Sequence, residues 1–184
     1  MENTENTDAP TQEDRAKAGR AAAQARWGVK TPAAYVESAG YGVLTNHLAR
    51  ESLAPFSPVG ASGPIDLVIA DEIGRTRAVQ LKAIAGGGLT IWTKYLGLRL
   101  HIVYVTLGRE VGGSARQTLI RVLTPEQACK LAIQFSGQRN EDSRYDPERH
   151  GTYRWPRETA QLRQALEPYT VRQVGDLTRL LGLD

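Results

Sequence analysis

Apolar residues along this chain follow two periods, one helical and one strand-like. Val36, Gly40, Leu44 and Leu48 recur every four residues behind Thr31-Pro32, an N-cap and proline pair, and predict a helix from about Ala33 to Leu53. Gly40 and Gly42 inside it cost about 1 kcal/mol each relative to Ala, which suggests that another element comes close there. After a loop marked by Pro55, Pro58, Gly60 and Gly63, PIDLVIADEIGRTRAVQLKA (residues 64–83) reads as strand, turn and strand. Gly86-Gly87-Gly88 breaks the chain. LHIVYVTL (Leu100 to Leu107) is continuously apolar, as a strand covered on both faces should be, and TLIRVL (Thr118 to Leu123) is a further strand. Thr124-Pro125-Glu126-Gln127 has a capping-box pattern and opens a helix to about Phe135. Two short helical patterns follow, around Leu162 and Leu166, then around Val174, Leu177, Leu180 and Leu181. Helix, hairpin, strand, strand and helix in this order predict an α/β sandwich with a mixed sheet flanked by helices.

Composition narrows the class. The 184 residues suit one domain plus tails, with 41% hydrophobic and 23% charged residues, which excludes a fibrous or disordered chain. We divide it into an N-terminal arm (1–30), a core (31–138), and a charged loop with short helices packing on that core (139–184). No apolar run approaches the roughly 20 residues that span a bilayer, and the acidic, polar N-terminus is unlike a secretory signal, so a cytoplasmic protein without membrane partners is expected. A single cysteine, Cys129, and three scattered histidines make an intrachain disulfide and structural zinc poor expectations. Net charge is +3, unevenly spread: residues 1–14 hold acids and no base, and residues 15–30 hold Arg15, Lys17, Arg20, Arg26 and Lys30 and no acid. That basic stretch reads either as an arm along nucleic-acid phosphates or as a solvated segment.

The chemistry concentrates in the hairpin. Alternation places Asp66, Val68 and Ala70 on one side of the first strand, and Gln80 and Lys82 together on one side of the second. A turn centred on Ile73 puts Asp66 opposite Gln80 and diagonal to Lys82, at about 5 and 7 Å. Charges in a sheet are costly unless paired or coordinating, so the three groups predict a cation and phosphate site. Their oxygens suit Mg²⁺. Elsewhere the signals are weaker. The glycines of GGGLTIWTKY lack phosphate-loop spacing, and Trp92, Lys94 and Tyr95 either contact DNA at the mouth of the site or, as we favour, cover the sheet. His150 reads as a solvated residue rather than a general base. Ser114 and Ser136 have no neighbouring histidine for a hydrolytic triad.

Asp66 on one strand and Gln80-Leu81-Lys82 on the next resemble the signature of the PD-(D/E)XK nuclease superfamily, an Asp followed by acid-x-Lys. The likeness extends over residues 33–135 through the preceding helix, the apolar strand and the strand–helix pair. It implies a restriction-endonuclease-like α/β/α sandwich around a mixed sheet, and a small homing- or resolvase-like DNA endonuclease using Mg²⁺ or Mn²⁺. By position, Asp66, Gln80 and the Leu81 carbonyl would hold metal, and Lys82 would steady the attacking water or the charged phosphorane. Lys94 joins Arg15, Lys17, Arg20 and Arg26 as an expected DNA contact, and a homodimer is implied. Two positions depart from the family. Gln80 stands where most members carry an acid, although some intron-homing members carry Gln. Tyr41 stands where the preceding helix presents a Glu, so Glu37, one turn earlier on the same face, is the expected substitute, with Glu51 second. The alternative is a degraded nuclease fold serving as a DNA- or protein-binding module.

Overall fold

A computed structural model describes residues 33–58, 63–85, 88–108, 110–111, 114–115, 117–135, 151–155 and 158–184. Arg15, Lys17, Arg20, Arg26, the Thr31-Pro32 cap, Ser136 and His150 lie outside the described residues. In chain order the elements are α1 (Ala33–Arg50), β1 (Ala54–Phe56), β2 (Leu67–Ala70), β3 (Thr76–Ile84), β4 (Leu89–Trp92), β5 (Leu100–Thr106), β6 (Glu110–Val111), β7 (Ser114–Ala115), β8 (Leu119–Leu123), α2 (Pro125–Phe135), β9 (Thr152–Trp155), α3 (Ala160–Leu166) and α4 (Asp176–Leu181). Short 3-10 turns occupy Thr93–Tyr95 and Glu167–Tyr169.

The chain is a mixed α/β protein built on a five-stranded mixed sheet in the order β1-β2-β3-β5-β8. Its pairs are antiparallel except β3 with β5, which run parallel. β5 explains why its sequence is apolar throughout. Val103 and Val105 enter one core cluster with Leu44 and Leu48 of α1 and Leu177 and Leu181 of α4. Leu100, Ile102 and Tyr104 enter a second, with Ala128 and Leu131 of α2, Leu162 and Leu166 of α3, and Trp155. Each fully buried leucine contributes about 1.5–3 kcal/mol, and helices cover both faces.

Helix α1 buries Val36, Gly40, Leu44 and Leu48, the expected stripe. It ends at Arg50 rather than near Leu53, because Ser52 turns to φ 56° and the Glu51 and Leu53 amides both bond back to the Leu48 carbonyl. A Cβ at Gly40 would stand 2.3 Å from Ala83 Cβ, so the helix backbone lies directly against β3 there. Gly42 has nothing within 4 Å, so the close approach belongs to Gly40 alone. The α2 box forms as its sequence predicts: Thr124 N donates to Gln127 Oε1 (2.8 Å) and Gln127 N to Thr124 Oγ1 (3.2 Å).

Three connections go beyond the sequence reading. β4 and β9 pair into a ribbon, Leu89 opposite Trp155 and Trp92 opposite Thr152. Glu51 caps α4, accepting from Leu177 N (3.2 Å), Thr178 N (2.9 Å) and Thr178 Oγ1 (2.9 Å). At the other end of α4, Arg77 Nε donates to the Leu181 carbonyl (2.9 Å) and Arg77 also to that of Gly182. Arg75 donates to the carbonyls of Asp184 (2.8 Å) and Leu183. The β2–β3 hairpin thus grips the carbonyl end of α4. Val174, expected among the packed apolar residues, is exposed. Among the described residues no helix is long and apolar enough to cross a membrane.

Candidate functional site

The hairpin adopts the register expected of a turn centred on Ile73, with Leu67 opposite Val79 and Ala70 opposite Thr76. Asp71 holds the turn: its Oδ1 accepts from Ile73 N (3.1 Å) and Arg75 N (2.7 Å), and its Oδ2 from Arg75 Nε (2.6 Å), with Gly74 at φ 85°. Asp66 N donates to the Val79 carbonyl (2.9 Å), extending the ladder so that Asp66 faces Gln80. Asp66 is exposed at the head of β2, not enclosed within it.

Here β3 outruns its partner. β2 begins at Leu67 while β3 continues to Ile84, and the Asp66 carboxylate substitutes for the missing strand. Its Oδ2 accepts from Leu81 N (2.9 Å) and from Gln80 Nε2. Among the described residues no hydrogen bond reaches Oδ1. The Leu81 carbonyl emerges from the same edge, with Gln80 Nε2 at 3.5 Å. Gln80 is 5% exposed and Lys82 half-buried.

Opposing fields act on these groups. Partial desolvation against β3 raises the Asp66 carboxyl above its ordinary range, the Leu81 N–H and the Lys82 ammonium pull it down, and Glu37 raises it again. Burial lowers the Lys82 ammonium, Asp66 and Glu37 oppose that, and Lys94 lowers it further. Glu37 therefore acts on both hairpin groups. It sits about one turn before Gly40, where α1 touches β3 at Ala83, on the sheet face opposite that of Gln80 and Lys82. Tyr41 is exposed, and Glu51 is engaged at α4 rather than with Asp66.

Two aromatic residues join this group. Lys82 Nζ lies 5.9 Å from the centre of the Tyr95 ring, and Lys94 Nζ lies 5.8 Å from the same ring and 5.5 Å from that of Trp92. Tyr95 is buried at 4% exposure, covering the sheet as expected, whereas Trp92 is 44% exposed. The Tyr95 hydroxyl is raised by burial and by the Asp66 charge, which ties it to the same field. Arg121, read only as part of a strand, is fully buried. Its guanidinium lies 2.8 Å from Glu158 and 3.2 Å from Thr106 Oγ1. The visible signal was a lone arginine among apolar residues in TLIRVL, which demands a partner.

Among the described residues no three His, Cys, Asp or Glu side chains cluster as a metal site. What the β3 edge brings together is the Asp66 carboxylate, the Gln80 amide nitrogen and the Leu81 backbone, with Glu37 reaching them only through its field. A cleft of about 470 Å³ lined by Arg77, Arg99, His101 and Glu126 lies at the opposite ends of β3 and β5 and includes none of them. Comparison with protein-family models, curated proteins and solved structures finds no match.

Proposed function

We propose that this chain is a divalent-cation-dependent endonuclease of the restriction-endonuclease-like fold, hydrolysing DNA phosphodiester bonds. The observation that carries the reading is the β3 edge where β2 stops. There Asp66 leans across to Leu81 and Gln80, and Lys82 follows on the face of Gln80 with no carboxylate at ion-pair distance among the described residues. The order of helix, hairpin, parallel strand, antiparallel strand and helix supports the same reading.

The donor set fits a hard cation. Asp66 Oδ1 is free of hydrogen bonds among the described residues, the Leu81 carbonyl faces the same edge, and Glu37 adds a second negative charge. Asp66, Gln80, Leu81 and Glu37 would hold Mg²⁺ or Mn²⁺, Gln80 through its Oε1 after a half-turn of the amide that now donates to Asp66. Such an ion, when bound, supplies an activated water and charge stabilisation at the phosphate and the leaving oxygen. The chain's own part follows from its geometry. Lys82, fixed by the β3 backbone and the Tyr95 ring, offers N–H donors to the attacking water or to the phosphate oxygens.

The test is cleavage of supercoiled plasmid and branched DNA with Mg²⁺ or Mn²⁺, comparing the wild type with Asp66→Ala and Lys82→Ala. Metal-dependent cutting that both variants lose is the expected result. DNA binding without cutting on any substrate would replace the enzyme with a binding module, the reading that the Gln80 amide donating to Asp66 favours.

A further inference from the structure

We propose that the exposed Trp92 ring and the Lys94 ammonium form a nucleotide step, which selects DNA with an unpaired nucleotide beside the phosphate held at Lys82 over continuous duplex. The proposal rests on the nuclease reading and adds a substrate class to it.

Three observations carry it. First, the Lys82 and Lys94 ammoniums lie 5.9 and 5.8 Å from the centre of one buried ring, Tyr95, and among the described residues neither has a carboxylate within ion-pair distance. Two ammonium groups sharing one ring repel each other in the free protein, and a phosphate between them turns that repulsion into attraction. Second, the exposure of Trp92 is built in rather than a frayed end. Trp92 pairs with Thr152, and both Thr93 N (2.8 Å) and Thr93 Oγ1 (3.1 Å) donate to the Gly151 carbonyl. Its neighbours Ile91 and Tyr95 are buried while the indole stays 44% exposed. Third, Lys94 Nζ stands over the Trp92 ring, 5.5 Å from its centre, so an exposed π surface and a cation belong to one patch.

A continuous duplex does not use this pair fully. Its phosphates satisfy the lysines, but its bases stack on one another and offer no face to an indole. An unpaired nucleotide offers both a phosphate for Lys94 and a base face for Trp92, the pairing of charge and aromatic surface that single-strand binding exploits.

The experiment measures binding of the full chain in EDTA by fluorescence anisotropy, with labelled DNA of one sequence as single strand, flapped duplex and continuous duplex. Wild type is expected to bind the single strand and the flap on the order of tenfold more tightly than the duplex. Trp92→Ala should abolish that preference while leaving duplex affinity in place, and Trp92→Phe should keep it. Lys94→Ala should weaken all three and reduce the salt slope by about one. Absence of preference in the wild type, or equal loss on all three DNAs in Trp92→Ala with Trp92→Phe no better, overturns the proposal. Failure of the two readings is separable. Cutting that requires Asp66 but shows no preference removes the nucleotide step and leaves the nuclease. Preference lost in Trp92→Ala, with no cutting under any metal, keeps the step and removes the nuclease.

Discussion

Two cations stand in one row across the sheet and meet opposite fates. Lys82 on β3 lies opposite Tyr104 on β5, which lies opposite Arg121 on β8. Arg121 is sealed: it has no exposed surface, it pairs with Glu158, it bonds Thr106, and its guanidinium lies 5.9 Å from the centre of the Tyr104 ring. Glu158 also holds Arg163 at 3.1 Å. Lys82, two strands away on the same face, has only an aromatic ring and the fields of distant charges. The difference separates a charge that is paired where it is buried from one that has no ion-pair partner among the described residues. The first is neutralised on the spot, and the second is left available where β2 stops short and the sheet edge opens.

Removing one partner from the sealed pair should therefore be the most damaging change. Glu158→Ala leaves Arg121 buried and unpaired and is expected to lose about 3–5 kcal/mol in urea unfolding, whereas replacing both by Met and Leu should recover most of it. At the open site the pattern reverses. Lys82→Met is expected to cut DNA cleavage by about 10²–10³-fold, with the urea midpoint unchanged or raised, because no partner is orphaned. A large stability loss there would erase the distinction. Gly40→Ala should cost about 1–3 kcal/mol by pushing α1 away from Ala83, and slow cleavage by shifting Glu37; unchanged unfolding and cleavage would detach that helix from the site.

The smallest effect sharpens the comparison most. Burial holds the Asp66 carboxyl above its ordinary value of 3.8, so its ionisation opposes folding. The penalty is fully present above the raised value and is relieved as pH falls through it. Asp66→Asn removes it, and after allowance for partial exposure should stabilise the fold by less than about 1 kcal/mol at pH 7, with no gain near pH 3. Thermal melts at both pH values check the sign.

The hairpin was legible because its constraints are local. Alternation, the turn and the Asp71 cap set the register within one stretch of chain, and that register brings Asp66 to Gln80. The α1 stripe and the α2 box were legible for the same reason. The β4–β9 ribbon was not, because residues 89–92 and 152–155 are too short to declare themselves before they pair. Nor was the approach of two lysines to the Tyr95 ring, since cover over the sheet says nothing of which cations come near it. Glu37 could be named from helix spacing, but only the contact of Gly40 with Ala83 brings it beside the hairpin.

The arginine clamp on α4 has a consequence in time rather than in space. Arg75 and Arg77 close contacts over sequence separations of 109 and 104 residues, among the costliest closures in chain entropy and the slowest to form. Until residues 181–184 dock, the hairpin has its local turn but not its anchor, and the core around Leu177 and Leu181 remains unfilled. Asp66, Gln80 and Lys82 lie early in the chain, yet the hairpin that carries them is tied to residues 181–184, so removing those residues is expected to loosen a hairpin more than a hundred positions away.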